Sequence, residues 1–204
     1  FMYPGHCGYI YSCLITNDNK YILSAGRDKT IRKWSIENGE QIDTPFLNHN
    51  DGVACLAITN NNKIVISGSA DCTIRLWDFN SHDQIGDPLI GHTSVVSCLC
   101  VTKDDKYVFS SSYDGTIRKW SIFSSKREGD LMLTHNGIIN KITLSSNNRY
   151  LIGGCEDGCV FVCDYKYNKT SIIKNKTAVR SLCISNDDKY AYYGDTDGNI
   201  KCFE

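Results

Sequence analysis

The chain has 204 residues, 41% of them apolar, with 22 Lys+Arg against 23 Asp+Glu and a formal net charge of −1. That composition can supply a globular core, and no apolar run approaches the ~20 residues of a membrane-spanning helix. The charge balance argues against nucleic acid or a membrane surface as a partner.

Taken in chain order, the first unit opens at His6 and runs through a loop into a strand. A polar turn, Asn17-Asp18-Asn19-Lys20, leads into a second short strand, Tyr21-Ile22-Leu23. A tight turn at Asp28 follows, then a third strand, Thr30-Ile31-Arg32-Lys33-Trp34, and a variable fourth strand near Ile42 to Leu47. Asn and Asp favour such turns because they cap their own backbone and tolerate left-handed torsions, and the strands are rich in β-prone residues. The pattern then repeats. Trp34, Trp77 and Trp120 are 43 residues apart, as are His6, His49, His92 and His135, and Asp28, Asp71, Asp114 and Asp157. The units run 6–48, 49–91, 92–134, 135–174 and 175–204, the last shortened so that its Asp falls at Asp197. In the second unit the fourth strand is expected near Ile85 to Ile90. In the third, the first strand places Val96, Cys98 and Cys100 on one face and Ser97, Leu99 and Val101 on the other. Both faces are largely apolar, which fits a strand packed between two neighbouring sheets. Four strands per period of this length predict an all-β chain, a β-propeller of five four-stranded antiparallel blades.

This pattern resembles the WD-repeat β-propeller family over essentially the whole chain. The resemblance implies that His, Ser, Asp and Trp form a hydrogen-bonded tetrad locking each blade. Carried over, these are His6–Ser24–Asp28–Trp34, His49–Ser67–Asp71–Trp77 and His92–Ser110–Asp114–Trp120. A closed network of this kind satisfies buried polar groups. The fourth unit keeps His135 and Asp157 but has Gly153 and Cys163 at the other two positions. The fifth keeps only Asp197, beside Asn175, Tyr193 and Phe203, and no network is expected there. The family's Trp-Asp pair occurs once, at Trp77-Asp78. Without the Arg of a Trp-Asp-x-Arg sequence, Trp77-Asp78-Phe79-Asn80 does not support a ubiquitin-ligase receptor role. Only five residues precede His6 and the last unit ends after its third strand, so the expectation is a piece of a larger, seven-bladed ring, with a compact five-bladed ring as the alternative.

The recurring His/Ser/Asp set invites a hydrolase reading, but its repetition with a Trp donor argues for architecture. Cys155, Cys159 and Cys163 sit four apart and with His135 suggest zinc, but the spacing is not that of a metal knuckle, and no metal or cofactor is expected. No Gly-rich phosphate loop is present. The basic third strands, Arg32-Lys33 and Arg118-Lys119, read as solvated blade surface. Eleven cysteines, an odd number falling mostly on strand positions, point to free thiols and a reducing compartment, cytoplasmic or nuclear.

In WD-repeat proteins, partners commonly contact residues three and five after the His and the one before the Asp. Here the resemblance implies Tyr9, Tyr11, Arg27, Ser97, Tyr113, Asn140, Glu156 and Arg180 on the face that carries the His loops. Tyr and Arg are enriched at binding hot spots. The expected function is a non-enzymatic scaffold binding other proteins or peptides, acidic or phosphorylated ones suiting the Arg residues. The alternative is the propeller portion of a larger multidomain enzyme, such as a kinase, with catalysis outside this chain.

Overall fold

In a computed structural model, which describes residues 5–124, 129–167 and 169–203, all the regular structure is β-strand. The first sheet has the order β1 (Ile10–Ile15), β2 (Tyr21–Gly26), β3 (Ile31–Ser35), β4 (Gln41–Phe46). The second has β5 (Val53–Ile58), β6 (Ile64–Ser69) and β7 (Ile74–Asp78). Its fourth strand is not continuous: two isolated bridges, Ile74 with Leu89 and Trp77 with Gln84, stand in its place. Gly86 at φ 66° and the following Pro88, which has no N–H to donate, interrupt the ladder. The third sheet is β8 (Val96–Val101), β9 (Tyr107–Ser112), β10 (Thr116–Ser121) and β11 (Asp130–Thr134). The fourth is β12 (Ile139–Leu144), β13 (Tyr150–Cys155), β14 (Cys159–Asp164) and β15 (Lys169–Lys174). The fifth contains β16 (Val179–Ile184), β17 (Ala191–Asp195) and β18 (Ile200–Phe203) among the described residues.

The first strands of successive sheets pack side by side, β1 on β5, β5 on β8, β8 on β12 and β12 on β16. These are the blades of a propeller. The hydrophobic core is divided among the four seams between blades. Leu23, Ile31 and Phe46 meet Val53, Leu56 and Trp77 in the first seam. Ile66, Ile74 and Leu76 meet Val96 and Leu99 in the second. Phe109 and Ile117 meet Ile139 and Ile142 in the third, and Ile152 and Val160 meet Val179 and Leu182 in the fourth.

A β-bulge recurs in the first strand of every blade, between Ile10 and Ser12, Val53 and Cys55, Val96 and Cys98, Ile139 and Lys141, and Val179 and Ser181. The extra residue breaks the simple alternation read from the sequence of β8. Val96 packs with Leu99 and Val101 toward the second blade, while Cys98 and Cys100 face the fourth. The bulge thus lets one strand send apolar residues into two seams.

The polar turns between first and second strands also do more than cap themselves. Asn19, Asn62, Asp105, Asn148 and Asp188 all hold φ between 55° and 57°. From that left-handed position four of them reach the preceding blade's turn. Asn17 N–H donates to Asn62 (3.0 Å), Asn60 N–H to Asp105 (2.6 Å), Lys103 N–H to Asn148 (3.2 Å) and Ser146 N–H to Asp188 (2.6 Å). Asn and Asp meet both demands, tolerance of φ > 0 and a short acceptor.

Candidate protein-interaction face

The opposite ends of the blades carry the His loops and the Asp turns, and side chains tie the two together. In the first blade Trp34 Nε1–H donates to Ser24 Oγ at 2.7 Å, Ser24 Oγ lies 2.7 Å from His6 Nε2, and His6 Nδ1 lies 2.8 Å from an Asp28 oxygen. The second blade repeats this with Trp77–Ser67 2.8 Å, Ser67–His49 2.7 Å and His49–Asp71 2.8 Å. In the third, Trp120–Ser110 is 2.7 Å, Ser110–His92 2.7 Å and His92–Asp114 2.9 Å. Each Ser oxygen accepts a hydrogen bond from the indole N–H, an arrangement that suits Ser O–H donating to His Nε2 and His Nδ1–H donating to the carboxylate. The Asp also accepts a backbone N–H from the residue after the His, Cys7, Asn50 or Thr93. Ser67 and Ser110 have no exposed surface, so no substrate can reach the hydroxyl a triad would use.

Burial raises the Asp114 carboxyl, but donation from the Thr116 hydroxyl, Thr93 N–H and His92 outweighs it and holds the group at about 2. Asp71 is likewise held far below the carboxylate range: burial raises it, while His49 and Thr73 lower it more. Burial lowers His92, and its bond to Asp114 offsets only part of this. In the third blade these shifts favour a neutral His92 and an ionised Asp114.

The fourth and fifth blades use other solutions. A β-carbon on Gly153 would collide with the Phe161 ring, so the ring occupies the space a serine would need. Phe161 stands where the first three blades carry Arg32, Arg75 and Arg118. Cys163, at the Trp position, is buried against it, and His135 meets Asp157 through Nε2 at 2.9 Å. In the fifth blade a network does exist, contrary to the sequence expectation, and it is centred on Asp195 instead of Asp197. Lys201 Nζ lies 2.9 Å from Asp195 and 2.5 Å from Asn175 Oδ1, and Asn199 N–H caps the same carboxylate. A lysine donor two residues before Phe203 has replaced the indole donor.

The eight residues assigned to partner contact fall mainly at seams. Tyr9 and Tyr11 are 70% and 52% exposed, and Arg27 is exposed beside them. Arg27 N–H donates to Tyr9 O at 2.8 Å, and a methyl placed on Gly52 of the second blade would lie 3.3 Å from the Tyr11 ring and 3.4 Å from Arg27 Cα. Among the described residues no carboxylate pairs with Arg27. Tyr113 stands exposed on the third blade. Ser97 is half-buried and committed to Ile139 O at 2.6 Å, a tie between third and fourth blades. Asn140 similarly donates to Val179 O and to Glu156. Glu156 in turn takes a bidentate pair from Arg180, at 2.7 and 2.8 Å. Arg180 is thus already neutralised, and the unpaired cation of the set is Arg27.

The basic third strands are not uniformly solvated surface, as read from sequence. Lys33 is buried, donates to Phe79 O at 3.2 Å, and lies over the Tyr21 and Phe79 rings. Lys119 lies 3.9 Å from the centre of the Tyr107 ring.

The family described as "WD domain, G-beta repeat" matches residues 1–35, 39–78, 84–121, 130–164 and 168–204, and the chain belongs to it. From the second onward, each matched stretch begins on the outer edge of one blade and ends on the third strand of the next, so the repeat itself links neighbouring blades. Over 54 residues the chain is 41% identical to guanine nucleotide-binding protein G(I)/G(S)/G(T) subunit beta-1 of Homarus americanus and to guanine nucleotide-binding protein subunit beta-1 of Drosophila melanogaster, covering 26% of this chain and 15% of each relative. Over 36 residues it is 47% identical to small ribosomal subunit protein RACK1 of Schizosaccharomyces pombe, covering 18% of this chain and 12% of that protein. The chain therefore matches only a small part of these relatives' length. Membership and these likenesses support a protein-interaction scaffold in general terms. No helix among the described residues is long and apolar enough to cross a membrane.

Proposed function

We propose that this chain is a non-enzymatic scaffold whose His-loop face binds a protein segment carrying acidic or phosphorylated side chains, in a cytoplasmic or nuclear setting. The observation that carries the reading is that the exposed Tyr9 and Tyr11 and the exposed Arg27 share one loop–turn junction, Arg27 N–H bonding Tyr9 O and both Tyr11 and the Arg27 backbone approaching Gly52, while no carboxylate among the described residues pairs with Arg27. Arg pairs bidentately with carboxylate and phosphate, and Tyr supplies contact area at low entropic cost. Tyr113 extends the surface, while the Arg180–Glu156 pair supplies polar rim and little net charge. Rigid tetrads beneath the loops keep this face ordered before a partner arrives, which lowers the cost of binding.

The test is affinity capture with Arg27→Glu, against Lys63→Glu in the turn at the other end of the blades. Partners recovered by the unaltered chain are expected to be lost with Arg27→Glu and kept with Lys63→Glu, and binding of the recovered peptide to weaken with added salt. Retention with Arg27→Glu and loss with Lys63→Glu would move the site to the opposite face.

A further inference from the structure

In the first three blades the Asp of the tetrad turn is surrounded by hydroxyls. Thr30, Thr73 and Thr116 each donate to it through Oγ1, and Ser69 and Ser112 accept the N–H of Asp71 and Asp114. In the fourth blade both kinds of hydroxyl are replaced by thiols, Cys155 at the Ser position and Cys159 at the Thr position. The substitutions are close to isosteric, and Cys159 Sγ takes up the threonine's place 3.5 Å from Asp157 Oδ2. The imidazole of His135 is on the same carboxylate at 2.9 Å. Ligand atoms of His135, Cys155 and Asp157 all lie within 4.8 Å of one another. With no tetrad serine or tryptophan in this blade, His135 is not engaged in the relay that occupies the other three imidazoles.

We propose that His135, Cys155 and Asp157 form a zinc-binding site, with Cys159, whose Sγ is near the Asp157 carboxylate but outside that mutual cluster, turning in as the fourth ligand. One nitrogen, one oxygen and two sulfurs make a four-donor set suited to a borderline, tetrahedral cation. Zinc–ligand distances of about 2.0–2.3 Å put tetrahedral donors roughly 3.5 Å apart, so the ion must part the His135–Asp157 pair, now at 2.9 Å, while the cysteine sulfurs turn toward it. Cys155 is fully buried and Cys159 nearly so, while a surface pocket of about 280 Å³, bordered by His135, Cys159 and Phe161, opens a path for the ion. Binding replaces two S–H protons with two Zn–S bonds and releases both protons to solvent; nothing is oxidised or reduced. Two thiolates, a carboxylate and a neutral imidazole around Zn²⁺ leave one net negative charge, which the neighbouring Lys174 offsets. Because the metal displaces both thiol protons, uptake is favoured by higher pH. The sequence spacing hid this set because Asp157, two residues from each cysteine, is not a knuckle ligand, and Cys163 belongs to the core.

The experiment uses the reduced, metal-stripped full chain titrated with Co²⁺ and then Zn²⁺. One equivalent of Co²⁺ is expected to give thiolate charge-transfer and intense tetrahedral ligand-field absorption, both removed by one equivalent of Zn²⁺. Cys155→Ser with Cys159→Thr restores the residues that fold in the third blade as Ser112 and Thr116, so this variant should keep its melting midpoint. Its zinc affinity should fall at least about 100-fold, and His135→Gln should cost about 10- to 100-fold by the same readout. Cys98→Ser should change nothing. Absence of the cobalt bands, or their persistence in the double variant, overturns the assignment, the second outcome placing the metal on other thiols.

Discussion

Replacing Trp77 by Phe isolates what one tetrad donor is worth. Trp77 is 1% exposed and its indole N–H is 2.8 Å from Ser67 Oγ, which is itself fully buried. Losing the donor leaves a buried acceptor unsatisfied, at about 1–3 kcal/mol. The smaller ring adds about 1 kcal/mol for the void it leaves, at ~24 cal/mol per Å³. Together these predict about 2–4 kcal/mol, and at about 2–4 °C per kcal/mol for a chain of this size a midpoint lowered by roughly 5–15 °C. Ser67→Ala removes the same bond from the other side and also deprives His49 Nε2 of its donor at 2.7 Å. If the network acts as a unit, the double variant will cost less than the two singles added, by about 0.5–3 kcal/mol. The assay is thermal and denaturant unfolding of all four proteins. A neutral Trp77→Phe, or strict additivity in the cycle, would refute the claim that the bonded chain, and not ring packing alone, holds the blade.

Three further outcomes follow from the same contacts. Asp105→Ala removes an acceptor of three N–H groups from Asn60 and Asn61 at φ 57°, and should cost about 1–3 kcal/mol; Asp105→Gly, which restores backbone freedom without the acceptor, should recover only part of it, as read by denaturant midpoint. Gly153→Ser alone should destabilise by about 1–3 kcal/mol because its side chain meets the Phe161 ring, and Phe161→Arg in the same chain, copying Arg118, should relieve this in thermal melts. Stability should fall with acid in two stages. His92 has its pKa lowered by burial, so the unfolded chain binds its proton first and stability declines below the ordinary value of 6.5. Asp114, held at about 2 against an ordinary 3.8, contributes stability present above 3.8 and lost as pH falls toward 2. A midpoint flat from pH 7 to 4 would refute the first stage, and His92→Gln should flatten that stage selectively.

The period of 43 made the blades legible, because each recurring residue must satisfy the same bond in each repeat. The three Trp-containing tetrads are implied by the resemblance to the WD-repeat family, and the structure places their indole, hydroxyl, imidazole and carboxylate within hydrogen-bond distance. What escaped is what depends on register. The bulge at Val96–Cys98 shifts side chains by one face without leaving a compositional mark. Asp195 takes the role expected of Asp197 by pairing with Lys201 of the third strand at 2.9 Å, a pairing the shortened fifth period does not reveal. The turn residues from Asn62 to Asp188 look like ordinary turn formers, and only the neighbouring blade shows what they accept. Lys33 reads as surface charge until the Phe79 ring and carbonyl are seen beside it. For partner contacts, the family resemblance implies Tyr9, Tyr11, Arg27 and Arg180 alike, and nothing in the sequence shows that Arg180 is already spent on Glu156.

The contrast between the two halves of the chain separates what a blade requires from what it merely uses. One backbone bond is common to all five: the N–H before the turn Asp donates to the His-side loop, Arg27 to Tyr9 at 2.8 Å, Ala70 to Gly52 at 2.9 Å, Tyr113 to Val95 at 3.0 Å, Glu156 to Ile138 at 2.9 Å and Thr196 to Ala178 at 3.0 Å. That tie fixes the loop to the turn whether the side chains below it form a tetrad, a Phe161 plug or a Lys201–Asp195 pair. The tetrad is therefore one of several ways to fill and satisfy the space under a bond the backbone already makes. It follows that the fourth blade could exchange hydroxyls for thiols and lose its serine without losing its shape, and that a changed interior leaves the loop positions above it free to carry specificity. If this is right, restoring serine and arginine at positions 153 and 161 should stiffen the fourth blade by hydrogen exchange while leaving partner capture through Arg27 unchanged. Loss of capture on such a repair would mean that interior and face are coupled after all.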